Sequence, residues 1–471
     1  VGALGTLVLT HFLAPDVVGE VGVASVLAIT THYAFGAGMG QYMVAHPLAG
    51  PVTGFHVTTL NATAVLVSSI LLLIFGKAAA VWTNAPGAAE FLPGMMVAVA
   101  IGRISDTPER ILNRELRFRR VAAAVSGGET IYALVAVGMA ARGWGGQSVV
   151  VANVARSLFR LGMNGSGVDA RAWLCFGPLH RREIAAILRF AIPLQLAALA
   201  AFAATKWDVL VISSLFGPAA MGLYALAYNL AQIPADNIGE SLSDVLFPSL
   251  ARLPRARRPE ALVRSLWLVA LVVFPLAVGL GLVAPTLVAA AFPPRWQPMA
   301  PLLTVLSVLG VVHPMGSALL VYLKACERTR AVLFFQGMRV TLLLLALLAL
   351  GQFGLRAATG AAGLSGAAFA LATLLYLGRK ENVAVGRALF GLARVLLACV
   401  VMGAGVWLAR WAAPPTFRPV ARLGLEIGAG AATYVASALL FVPAQAHEFV
   451  SLLRNLRGRH QVEESAAESE M

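Results

Sequence analysis

The chain has 471 residues, 59% of them hydrophobic and 12% charged, with a mean hydropathy of +0.79 and a formal net charge of +14. An ordinary soluble domain carries about 25% charged residues, so this composition excludes a water-soluble fold. It excludes a nucleic-acid binder too, because Arg and Lys sit in short clusters between long apolar runs, as in membrane proteins that set their orientation by charge.

An apolar run of about 20 residues is long enough to cross a bilayer as a helix. In chain order the runs predict an all-α integral membrane fold of about fourteen spans. They lie near 1–14, 18–45, 53–75, 91–112, 121–141, 147–167, 184–205, 218–247, 265–291, 298–323, 331–350, 358–378, 389–409 and 421–442. The first run starts at Val1 and is too short to span, so it reads as the back half of a helix. The 45 glycines and 24 prolines fit close helix contacts and broken helices in lipid. The segment 168–183 reads either as an amphipathic helix on the inner surface or as a solvated connector. The polar end, 443–471, reads as a disordered tail. Cys175, Cys326 and Cys399 are far apart and form no CxxC pair, which predicts buried thiols and no metal site.

Loops rich in Lys and Arg alternate with poor ones. The basic set follows spans 4, 6, 8, 10 and 12, with "RILNRELRFRR" the densest. Basic loops face the cytoplasm, which predicts that both termini are inside. The loop near Arg410, Arg418 and Arg422 breaks the pattern.

The chain also repeats itself. "LAPDVVGEVGVASVL" between spans 1 and 2 and "FGPAAMGLYALAYNL" between spans 7 and 8 align Pro15, Gly19, Ala24 and Leu27 with Pro218, Gly222, Ala227 and Leu230. "LNRELRFRRV" and "LKACERTRAV" align Leu112, Arg117, Arg119 and Val121 with Leu323, Arg328, Arg330 and Val332. Both pairs keep their place within a six-span unit. Two parallel six-helix lobes around a central cavity, plus two C-terminal helices, are predicted; such repeats are a transporter architecture. The expected divisions are 1–167 for the N-terminal lobe, 168–183 for the connector, 184–378 for the C-terminal lobe and 379–442 for the extra pair. Pro15, Gly19, Pro218 and Gly222 are the expected hinge residues.

"HFLAPDVVGEVGVASV", "ILNRELRFRRVAAA", "KWDVLVISSLFGPAAMGLYALAYNLAQIP" and "DVLFPSLARL" resemble the polysaccharide transporter, or oligosaccharide flippase, family. Its superfamily includes multidrug exporters of the MATE type and the lipid II flippase. The resemblance covers nearly the whole chain and weakens after span 12. The short first helix and the neutral "AHPLAGP" after span 2 depart from the family pattern. The resemblance implies an inner-membrane flippase, not an enzyme and without a cofactor, that carries a polyprenyl-pyrophosphate-linked oligosaccharide from the cytoplasmic to the outer face by alternating access. Its product would be a surface polysaccharide such as exopolysaccharide or O-antigen. Its partners would be the lipid-linked substrate, the membrane, and a polymerase or other assembly proteins. Rival readings are an ion-coupled drug exporter of the MATE type, a membrane polymerase or glycosyltransferase, and a non-transporting component of an assembly complex. The chain has no GxxxxGK[ST], HExxH or GxSxG motif.

Charges inside spans are costly and usually face a cavity or a partner. Arg103, Asp106 and Arg110 share one face of span 4; Arg103 and Asp106 either line the cavity or pair with each other, and Arg110 reads as an orientation charge. Arg156 and Arg160 lie one turn apart on a face of span 6 with Asn153 and Asn164. Two like charges in one turn repel unless an anion or a carboxylate sits between them, so they are the expected pyrophosphate contact; Arg160 would otherwise snorkel. Arg339 reads as a lone charge in span 11, lining a groove or pairing across helices. Asp208, in "TKWDVL", is singled out by the family resemblance, against a plain reading as an interfacial ion pair with Lys206 beside Trp207. Asp236, Glu240 and Asp244 form an acidic stripe that would take a proton or Na⁺, or pair with Arg156. Together Asp106, Asp208, Asp236 and Glu240 are the expected coupling or gating set. Glu129 and Glu426 read as structural carboxylates near helix starts.

Overall fold

A computed structural model describes residues 2–36, 38–46, 50–174, 179–326, 328–414, 416–443 and 445; the side chains of 2–4, 6, 234–252 and 329 are outside the description. The side chains of Asp236, Glu240 and Asp244, with Cys175 and the tail from 446, therefore lie outside the described residues.

Sixteen α-helices form among the described residues. They are α1 (Gly2–Phe12), α2 (Pro15–Gly36), α3 (Met39–Ala45), α4 (Pro51–Trp82), α5 (Ala88–Ile104), α6 (Asp106–Arg114), α7 (Phe118–Ala140) and α8 (Gln147–Gly165). After these come α9 (Arg181–Arg252), α10 (Arg258–Ala291), α11 (Ala300–Gly310), α12 (Val312–Ala325), α13 (Thr329–Gly351), α14 (Leu355–Lys380), α15 (Val385–Ala412) and α16 (Pro419–Phe441). Every run predicted from the sequence falls on helix. Eleven helical stretches among the described residues are long and apolar enough to cross a membrane. The shortfall against the predicted runs has three sources. α1 is short, α8 carries two arginines and several amides, and α9 holds two predicted runs in one stretch.

Local chemistry explains the boundaries. Proline opens α2, α4 and α16, where its missing N–H would have had no helical partner anyway. Gly38, at φ 96°, divides α2 from α3. The turn expected between spans 7 and 8 is much tighter than the sequence suggests. Helix continues to Phe216 and breaks only at Gly217, at φ 80° and ψ 176°, a conformation open to glycine. Lys206 and Asp208 thus stand within a helix rather than at its end.

The repeat is visible in the backbone. Span 4 divides at Ser105 into α5 and α6, and span 10 divides at Val311 into α11 and α12. After α6 the Arg117 N–H reaches back to the Leu112 carbonyl (2.9 Å); after α12 the Arg328 N–H reaches back to Leu323 (2.9 Å). These are the same long-range C-terminal closure at aligned positions.

The chain forms two compact units. The first comprises Val1–Leu226, Ala291–Pro298 and Arg339–Ala358. Within it α7 and α8 pack along their length, α5 lies against α8 and α2, and α4 crosses α2 and α5. Met39, Met43, Val57, Ile111, Trp173 and Ile187 form one of its buried clusters. The described part of the connector holds a single 3₁₀ turn at Ala170–Ala172, with the Asp169 carboxylate accepting from the Arg171 N–H (3.0 Å). Buried His56 of α4 accepts the His180 backbone N–H at Nε2 (3.0 Å), which leaves Nδ1 protonated to face Glu183 Oε2 (2.8 Å). Through the Nε2 bond and the approach of Glu183, His56 ties the start of α9 to α4. The second unit comprises Ala227–Ala290, Met299–Met338 and the chain from Thr359 onward. Its core runs from Leu262 and Phe274 of α10 through Tyr322 of α12, Phe335 of α13 and Phe369 of α14 to Met402 of α15.

Candidate functional site

Inside the first unit, α2, α5, α6 and α8 line a half-open cavity of about 380 Å³. Three of the four arginines expected to line a cavity, Arg103, Arg156 and Arg160, line this one, together with Asp106. Arg110, expected as an orientation charge, lines it as well.

None of the four guanidiniums is without a carboxylate. Arg103 Nη1 donates to Asp106 Oδ2 (3.3 Å), and Arg110 Nη2 lies 3.6 Å from Asp106 Oδ1. Arg160 Nη2 donates to Glu109 Oε2 (2.9 Å), which also accepts from Asn164 Nδ2 (3.0 Å). Arg156 Nη1 donates to Glu129 Oε1 (3.2 Å), while its Nη2 donates to Asn153 Oδ1 (2.6 Å). Four arginines thus share three carboxylates, leaving one positive charge in excess within this set. Two of them also face aromatic rings: Arg103 lies 5.7 Å from the Tyr33 centroid and Arg156 5.2 Å from that of Tyr132, within cation–π range. Gly128 of α7 makes room, because a Cβ there would sit 3.2 Å from Arg160 Cγ and 3.3 Å from Arg156 Cγ.

Sequence reasoning misses Glu109 and His32 as cavity groups and Glu129 as the partner of the cavity arginine Arg156. Glu129 is not near a helix start; it stands midway along α7 and meets Arg156. Glu109 follows Asp106 by three residues in "SDTPER", a spacing that puts both on one helix face; that is the available signal. His32 lines the cavity with 2% of its surface exposed, and neither ring nitrogen has a hydrogen-bond partner among the described residues. Nothing in its apolar stretch of α2 announces it.

Other expected site residues lie elsewhere. Asp208 is buried (3% exposed) and accepts from the Tyr224 hydroxyl at 2.6 Å and from the Val209 N–H at 2.9 Å. Lys206 lies within electrostatic reach of it, and Trp207 donates to Thr30 Oγ1 (3.3 Å). Arg339 of α13 is not a side chain lining this cavity, nor a lone charge, since it and Asp208 are within electrostatic reach of each other.

The four hinge residues meet one another. A Cβ on Gly19 would lie 1.8 Å from the Pro218 carbonyl oxygen, and one on Gly222 would lie 1.9 Å from that of Pro15. Each copy of the motif offers its glycine to the proline carbonyl of the other. Beside them Met221 fills the space that Gly22 leaves.

A family profile described as "Polysaccharide biosynthesis protein" matches residues 8–301. The chain belongs to this family. Among its relatives, the succinoglycan biosynthesis transport protein ExoT of Rhizobium meliloti (strain 1021) is 27% identical over 334 residues, 70% of this chain and 66% of that protein. The teichuronic acid biosynthesis protein TuaB of Bacillus subtilis (strain 168) is 33% identical over 24% of this chain and 25% of its own length. The lipopolysaccharide biosynthesis protein WzxC of Escherichia coli (strain K12) is 27% identical over 36% of this chain and 35% of its own. The matches thus span two thirds of these relatives or less. Among solved structures, the lipid II flippase MurJ in an inward closed conformation superposes with a TM-score of 0.77, covering 93% of this chain and 96% of MurJ at 14% identity. An inward-facing multidrug resistance MATE family transporter of the MOP superfamily gives 0.64, covering 82% and 95% at 13% identity. The family member described here thus shares the fold of MOP-superfamily transporters, as the family resemblance of its motifs implies.

Proposed function

We propose that the chain is an inner-membrane flippase for a polyprenyl-pyrophosphate-linked oligosaccharide, carrying it from the cytoplasmic to the outer face by alternating access, with both termini cytoplasmic. The observation that carries this reading is the cavity lined by four arginines that share three carboxylate partners, in a chain whose relatives serve succinoglycan, teichuronic acid and lipopolysaccharide synthesis. Guanidinium groups bind phosphate oxygens in a bidentate way. A pyrophosphate brings more charge than any single carboxylate it meets, so it displaces Glu109 from Arg160 and Glu129 from Arg156. The released carboxylates then take protons, or a cation, which links loading to an ion gradient. The lipid tail stays in the bilayer. In this reading the 1–167 and 184–378 lobes rock against each other, and the Gly19–Gly222 contact is the closed outer mouth. Asp106, Asp208, Asp236 and Glu240 remain the proposed coupling set. A polymerase and other assembly proteins take the product.

The test is on lipid extracts of a strain lacking the gene. An oligosaccharide-linked polyprenyl pyrophosphate held on the cytoplasmic face, and cleared by the wild-type gene, supports the reading. Normal lipid pools with normal surface polysaccharide reject it. The MATE-type alternative calls for an acidic cavity that attracts organic cations, and the arginine excess here points the other way.

A further inference from the structure

The arginines that break the orientation pattern form a site of their own in the second unit. The segment from Arg410 to Glu426 carries three arginines, Arg410, Arg418 and Arg422, against one acid, Glu426. Glu426 of α16 is fully buried. It receives Arg410 Nε (2.9 Å) and Nη2 (3.1 Å) in a fork, and Thr286 Oγ1 donates to it as well (3.0 Å). Arg410 Nη2 also donates to the Leu282 carbonyl (2.7 Å). Arg422 gets less. Its Nη2 donates to the Arg410 carbonyl (3.1 Å), but its Nε is 3.6 Å from Glu426 and makes no hydrogen bond among the described residues although it is buried. One carboxylate thus serves two guanidiniums, which leaves one positive charge in excess within this set.

Both guanidiniums open onto one pocket of about 380 Å³, lined also by Trp407, Trp411 and Ala413. Arg410 and Trp411 follow Trp407 by three and four residues, which puts both beside it on one face of α15. The two indoles are 63% and 80% exposed. On a helix that crosses a membrane, exposed tryptophans at an end mark the headgroup level. At that level a pair of guanidiniums sharing one carboxylate faces the anionic headgroups of the lipid, and a basic pocket there attracts them.

The geometry points to a binding site for the phosphodiester headgroup of an anionic phospholipid, with Arg422 and the outer edge of Arg410 on the phosphate and Trp407 and Trp411 beside the glycerol and upper acyl chains. Glu426 is the positioning residue, since its fork holds Arg410 in place. The site uses neither the arginine cavity nor the transport reading, and it works in whichever leaflet this end of α15 occupies.

The test is native mass spectrometry of the full chain released from nanodiscs of phosphatidylglycerol in phosphatidylcholine. The wild type is expected to keep a phosphatidylglycerol adduct, and Arg422→Gln to hold it about tenfold more weakly, as the loss of a charge-assisted hydrogen bond implies. Arg422→Lys, which keeps the charge but not the fork, is expected to fall between. Equal adduct retention by wild type and Arg422→Gln overturns the proposal. Inorganic phosphate is the second probe. If it stabilises lipid-free wild type against heating as much as phosphatidylglycerol does, the ligand is free phosphate and the lipid assignment is overturned. Arg410 is left intact throughout, because removing it strands a buried carboxylate and threatens folding.

Discussion

Gly19→Ala tests the repeated hinge most directly. The new methyl would sit 1.8 Å from the Pro218 carbonyl oxygen, against 3.4 Å for an ordinary contact. α2 and the start of the second half of α9 must therefore part by about 1.5 Å, and overpacking of this kind costs about 1–3 kcal/mol. If the contact exists in only one of two alternating states, the whole cost falls on that state. At 1.4 kcal/mol per factor of ten, its population drops by about fivefold to more than a hundredfold. Met221 offers a reporter, because it is 2% exposed and packs at Gly22 beside the contact. In a chain with Cys175, Cys326 and Cys399 replaced, a cysteine at Met221 should resist a membrane-impermeant maleimide. Adding Gly19→Ala should raise its labelling rate from the outer side by about fivefold or more, and Gly222→Ala should do the same through Pro15. Unchanged labelling in inserted protein, with export intact, would show that the contact neither seals a mouth nor opens.

Three further outcomes are expected. Arg156→Ala should abolish or strongly reduce polysaccharide export while the protein remains inserted, since Glu129 is already part-exposed; export at the wild-type level would make Arg156 structural. Asp208→Asn should weaken the bond to Tyr224 inside α9 and lower stability by about 1–3 kcal/mol, read as a lower melting temperature in detergent, and an unchanged melt refutes it. Glu426→Gln should cost more, about 3–5 kcal/mol, because it leaves two arginines against a neutral partner in a buried setting; a melt no lower than that of Asp208→Asn would contradict this.

The spans are legible because their cause is local: lipid demands long apolar helices, and the sequence writes them. The repeat is legible because aligned prolines, glycines and arginines stand out from a low-complexity background. Its structural consequence is not. Nothing in "LAPDVVG" says that its glycine meets the proline carbonyl of "FGPAAMG", since contact between distant segments is set by packing. The cavity is half legible. Arg156 and Arg160 on one helix turn require a counter-ion, and they have one each, but the sequence does not show that Glu129 and Glu109 come from two different helices. Asp208 is misplaced by the sequence pattern because the helix ignores the weak breaks near Lys206 and ends only where Gly217 allows a positive φ. Glu426 reads as a dipole partner near a helix start. Its true relation, a fork with Arg410 across α15 and α16, emerges only once those helices are packed together.

The pairing of every cavity arginine has a consequence for leakage. A chloride or another small monovalent anion entering the cavity meets guanidiniums that already hold carboxylates at close range, tethered at high local concentration. To stay, it must outcompete a ligand that never diffuses away, and a small monovalent anion cannot. A ligand that engages two guanidiniums at once loses that handicap, because its second contact is also intramolecular. If the proposed transport reading holds, the internal carboxylates set a threshold on ligand valency that keeps abundant small anions out of a site built from arginine.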